Sequence, residues 1–81
     1  MQTVNMIVDF HKNSVNITTF DIVFKSKNAS LVESGMRLGK SVQRWSCNIA
    51  IDEVVSFVST AMKAGAIRVQ EQKFATSLET I

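Results

Sequence analysis

ITTFDIVFK, residues 17–25, alternates apolar and polar side chains, with Phe20, Ile22 and Phe24 on one side. That is the period of a β-strand. The reading decides the fold, because TVNMIVDF (3–10) just upstream alternates as well. There Val4, Met6, Val8 and Phe10 share one side, and Asn5, Ile7 and Asp9 the other. The connecting segment HKNSVN (11–16) is polar and asparagine-rich, as suits a hairpin loop. Residues 3–25 are therefore expected to form an N-terminal β-hairpin.

Both strands carry three apolar residues in a row, Met6-Ile7-Val8 and Ile22-Val23-Phe24. Ile7 and Val23 then point away from the core face, whereas antiparallel strands with one wet face usually alternate cleanly. An apolar pair on the second face is expected to be a contact surface, covered by a protein partner or by a second copy in a homodimer. A partner strand could also add at a sheet edge. The competing expectation is that the chain's own C-terminal segment, with Phe74, Leu78 and Ile81, folds back over that face.

Downstream, IDEVVSFVSTAMKA (51–64) reads as a helix. Ile51, Val54, Val55, Val58, Ala61 and Met62 recur at helical spacing, with acids in the first turn, Lys63 in the last and Gly65 at the stop. Residues 30–40 are ambiguous. Ser30-Leu31-Val32-Glu33 fits a capping box, but Gly35 and Gly39 each weaken a helix by about 1 kcal/mol. Turns or a bent strand over 30–40, then a strand at 41–49, is the favoured reading, with an all-helical segment as the alternative. AIRVQ (66–70) is expected to be a short strand. The expected fold class is α+β: a small antiparallel sheet, made of the hairpin plus one to three further strands, packed against one main helix at about 51–64.

With 81 residues the chain is expected to form one domain, 1–81, with a core of modest size. The single cysteine, Cys47, cannot form an internal disulfide and fits a reducing compartment. No apolar run approaches a membrane span, and MQTVNMIVDF is interrupted by Asp9 and does not read as a secretory signal. No membrane association and a cytoplasmic location are expected.

The formal net charge is +2, but the cations gather in the middle of the chain. Lys25, Lys27, Arg37, Lys40 and Arg44, with Trp45 as a stacking platform, form a candidate patch for an anionic partner such as nucleic acid. Trp45 can equally belong to the core, since Gln43, Trp45, Cys47 and Ile49 would share one strand face. No helix-turn-helix, zinc-finger or RNA-binding aromatic signature accompanies the patch.

SGMRLGKS (34–41) is a near miss for the phosphate-binding loop G-x-x-x-x-G-K-[ST], because Ser34 holds the first glycine position. The lead-in is not a buried strand, and Asp52 follows too soon to lie on a second parallel one. Gly35 and Gly39 are expected to allow a turn. His11, the one histidine, is expected in the loop; neither Ser14 nor Cys47 stands in a nucleophile pattern with it. Asp9 and Asp21 could pair across the hairpin, yet two solvated acids explain them as well. One histidine and one cysteine cannot make a closed structural zinc site of the common kinds. The expectation is a non-enzyme with no catalytic residues, metal or cofactor. It would be a small accessory protein that binds and modulates or inhibits a protein partner, in a compact layout shared with many phage proteins. The alternative is a nucleic-acid-binding regulator.

Overall fold

The computed structural model describes residues 2–11, 16–75 and 78. In chain order these form β1 (Thr3–His11), α1 (Ile17–Ser26), β2 (Ser30–Arg37), β3 (Lys40–Ala50), α2 (Val54–Lys63) and β4 (Ala66–Glu71). Short 3-10 turns at Ile51–Glu53 and Gln72–Phe74 follow β3 and β4. The four strands form one sheet in the order β2-β3-β1-β4, and every neighbouring pair is antiparallel. This is the β-α-β-β-α-β arrangement called ferredoxin-like. The α+β class holds, and the expected main helix comprises the turn at Ile51–Glu53 and α2.

The N-terminal hairpin does not hold. Residues 17–26 form α1, and the partner of β1 is β3, paired from Thr3 with Ala50 to His11 with Val42. Two physical terms outweigh the alternating pattern. Asn16 caps the helix, its side-chain oxygen accepting from the Thr19 amide at 3.2 Å. Phe20 and Phe24, four residues apart, then fall on one face. Their rings stack at 4.8 Å and meet Phe10, Trp45 and Phe57 edge-on at 5.0–5.6 Å. Ile22, which a strand would bury with them, is left 68% exposed. The residues read as turns or a bent strand, 30–40, are β2 and the tight turn into β3.

The core lies between the helices and one face of the sheet. Met6, Val8 and Phe10 of β1, Cys47 and Ile49 of β3, and Ala66 of β4 meet Phe24 of α1 and Phe57, Ala61 and Ala64 at α2. A ten-residue helix is marginal alone, so this packing is what holds α1 and α2.

The opposite face is also buried. The strands place Ile7 and Asp9 there, with Arg44 and Val42 of β3, and all four are buried. The residues after β4 cross this face. Gln72 and Ala75 line a cleft of about 300 Å³ with Ile7, Val32, Glu33 and Arg44. The Leu78 amide donates to Glu33 Oε1 at 3.1 Å, and Leu78 is buried. The segment thus reaches from the β4 edge of the sheet to β2, the opposite edge.

Candidate interaction surfaces

Ile7 is 2% exposed. It is not the solvent-facing patch expected from its position, because the chain's own residues beyond β4 flank it. Val23 lies on α1 rather than on a strand beside Ile7, so the two do not share a sheet face; its side chain lies outside the described residues. Of the residues expected to fold over the face, Leu78 does so, Phe74 is 69% exposed, and Ile81 is outside the described residues.

Arg44 also leaves the cationic patch. It sits on the central strand β3 with an acid in register on each side, Asp9 of β1 and Glu33 of β2. Its Nε and Nη2 donate to the two carboxylate oxygens of Asp9 at 2.8 and 3.1 Å, and Nη1 donates to Glu33 at 3.1 Å. Asp9 and Arg44 are both buried, and the pairing raises the already high guanidinium pKa, the hydrogen bond to Asp9 being the largest cause. A planar fork held by two carboxylates and buried with them is structural chemistry, closed to a phosphate in solution. The β2 bulge makes the triad. Ser30 and Leu31 face Ser46 and Trp45, the register then slips past Val32, and Glu33 faces Arg44. Without the extra residue Glu33 would point to the helix side.

Trp45 is half-buried, packed against the core and edge-on to Phe20 at 5.0 Å, so it is no open stacking platform. Lys25 pairs with Asp21 at 3.6 Å along α1, and Lys27 with Glu53 at 2.8 Å. Asp21 is therefore on the helix, remote in role from the buried Asp9. Glu53 follows the end of β3 that pairs with Thr3, whereas Lys40 begins the strand. The length of β3, roughly 30 Å, separates Lys27 from Lys40.

Arg37 and Lys40 remain together. They face each other at the end of the β2–β3 hairpin, joined by Leu38 and Gly39. Among the described residues neither forms an ion pair. Leu38 and Gly39 have φ of 51° and 78°, the positive pair that defines a type I′ turn. Glycine meets that demand freely, but a leucine in left-handed backbone costs about 1–2 kcal/mol. Leu38 is also 89% exposed, so burial returns none of this. The near-miss phosphate loop is this turn, and Lys40-Ser41 opens a strand rather than a helix. The Leu-Gly dipeptide between two cations was the available signal, overlooked because asparagine or glycine is the usual first residue of such turns.

α2 carries the second surface. Phe57 and Ala61 are its buried residues. Val55 and Met62, with Ile51 one turn earlier, are exposed, Val55 to 83%. The apolar stripe read from the sequence therefore serves the core with only part of its width.

No group of three or more histidine, cysteine, aspartate or glutamate residues that could hold a metal occurs among the described residues. His11 ends β1 instead of lying in a loop. Burial pushes the Cys47 thiol up to about 11, opposite to what a nucleophile needs, with Lys27 pulling weakly the other way. No helix among the described residues is long and apolar enough to cross a membrane. Comparison with protein-family models, curated proteins and solved structures finds no match for the chain.

Proposed function

We propose that this chain is a non-enzymatic accessory protein that binds and modulates a protein partner, and that the tip of the β2–β3 hairpin makes the contact. The observation that carries this reading is Leu38, exposed to 89% at a φ of 51°. Local strain that nothing inside the molecule offsets is a pointer to function. Arg37 and Lys40 directly opposite each other add like-charge repulsion at the same place. An apolar knob between two cations fits an apolar pocket rimmed by acidic residues. Fold alone argues nothing here, since this arrangement serves many activities. The second reading is nucleic-acid binding, with Arg37 and Lys40 on phosphates and Leu38 as a wedge between bases. It has lost Arg44 and Trp45 from its patch.

A photo-reactive side chain placed at position 38 tests the reading, with position 74 as an exposed control. One acidic protein cross-linked at 38, absent at 74 and lost with Arg37→Glu and Lys40→Glu, is the expected result. Capture that ignores the charge reversal and occurs equally at 74 would sink it. Binding of labelled DNA or RNA that falls steeply with salt and vanishes on the same reversal would move the assignment to the second reading.

A further inference from the structure

The exposed side of α2, taken with the 3-10 turn that leads into it, repeats with a 4-3-4 spacing: Ile51, Val55, Val58 and Met62. Ile51, Val55 and Met62 are exposed, and Val58 is half-buried, packed on one side against the core. This is the seam of a two-helix coiled coil. The residue after each member lies about 100° further round the α-helix, or about 120° in the 3-10 turn, all on one side. Those residues are Asp52, Ser56, Ser59 and Lys63, all exposed. One flank of the seam thus has an acid at its N-terminal end, two small hydroxyls in the middle and a base at its C-terminal end. Among the described residues, neither Asp52 nor Lys63 has an ion-pair partner within the chain.

Such a surface is complementary to itself when a second copy lies antiparallel across it. A two-fold axis near the middle of the helix sets Ile51 against the partner's Met62 and Val55 against the partner's Val58. The same axis brings Asp52 to the partner's Lys63, twice, and apposes the serines where the helices must approach closely. A two-fold contact requires this reciprocity, in which i meets j and j meets i. Opposite helix dipoles side by side add to it.

We infer that the chain forms a symmetric homodimer through antiparallel packing of α2 on α2, with two Asp52–Lys63 pairs fixing the register. The sheet edges are poorer candidates, because β2 and β4 each carry a bulge. The contact is independent of the hairpin tip and leaves both tips free, so loss of one activity does not imply loss of the other. A single helix pair is a small interface, so the dimer is weak, with dissociation in the micromolar range or above.

Sedimentation equilibrium of the full chain from about 1 μM to about 1 mM covers that range. The expected mass climbs from 9.0 kDa toward twice that value. Val55→Glu, at a position exposed in the monomer, is expected to weaken dimerisation at least ~10-fold while circular dichroism is unchanged. Val55→Ser serves as a milder second variant. Asp52→Lys and Lys63→Asp singly place like charges together and weaken the dimer, and the double swap restores it. If these charges served only the dipole of their own helix, the swaps would add rather than cancel. A mass fixed at 9.0 kDa throughout, or a double swap as weak as the singles, overturns the inference.

Discussion

Asp9 loses all measurable contact with water on folding, and its two oxygens are held by one guanidinium. Removing one partner of a buried pair strands the other, at a cost of about 3–5 kcal/mol, whereas removing both for apolar groups is often close to neutral. Urea titration should therefore find Arg44→Met destabilised by about 3–5 kcal/mol, and Asp9→Leu/Arg44→Met recovering most of that loss. Additive losses would mean that the pair is not coupled. Leu38 is the converse case, a residue that weakens the fold in place. Leu38→Asn supplies a side chain that tolerates left-handed backbone, so it should gain about 1 kcal/mol and raise Tm by roughly 4–8 °C, while weakening binding of the partner that the tip captures. Cys47 gives a pH signature. Its folded pKa of about 11 lies above the ordinary 9.0, so the folded thiol keeps its proton where the unfolded chain has lost it. The stability this confers is whole below pH 9.0 and drains away as pH rises to about 11, a loss of roughly 2–3 kcal/mol that Cys47→Ala should lack.

The element that decides the topology is α1, and its outcome rests on a cap and two rings. Asn16→Ala should cost about 1 kcal/mol, since it leaves the Thr19 amide without its acceptor. Phe24→Ala should cost about 3–5 kcal/mol, because that ring is fully buried among Phe10, Phe20 and Phe57. Equal small effects would imply that α1 is held by its own propensity. These terms also explain what the sequence could reveal. β1 and α2 were legible because alternation and capping agreed with their packing. ITTFDIVFK satisfies a strand period and a helix period at once, and the packing of Phe20 and Phe24 that joins the Asn16 cap in selecting the helix includes Trp45 of β3, far along the chain. The basic patch failed for a related reason. Charge counted along the chain does not reveal that a one-residue bulge aims Glu33 at Arg44. Arg37 and Lys40 survived because a tight turn keeps sequence neighbours together in space.

At the scale of the whole molecule, the residues beyond β4 convert a two-layer fold into three layers. Ile7 and Val42 are buried on a sheet face that the helices do not touch, and the Asp9–Arg44–Glu33 triad lies among them. The triad is anchored in turn, since Glu33 Oε1 accepts from the Leu78 amide while its other oxygen takes Arg44. Covering the face and satisfying the buried charges are therefore one event, and the low dielectric that strengthens the ion pairs depends on the cover. Leu78→Asp should break both by placing a carboxylate beside Glu33 where an apolar side chain was buried. The expected loss is about 2–4 kcal/mol, with increased binding of a hydrophobic dye as the face opens. Phe74→Ala, in the same segment but exposed to 69%, should change neither reading. If Leu78→Asp left stability and dye binding at the level of Phe74→Ala, the segment would be an ornament on a two-layer protein. The burial of Ile7 argues otherwise: Gln72 and Ala75 lie beside it, and Leu78 is buried against Glu33 on the same face.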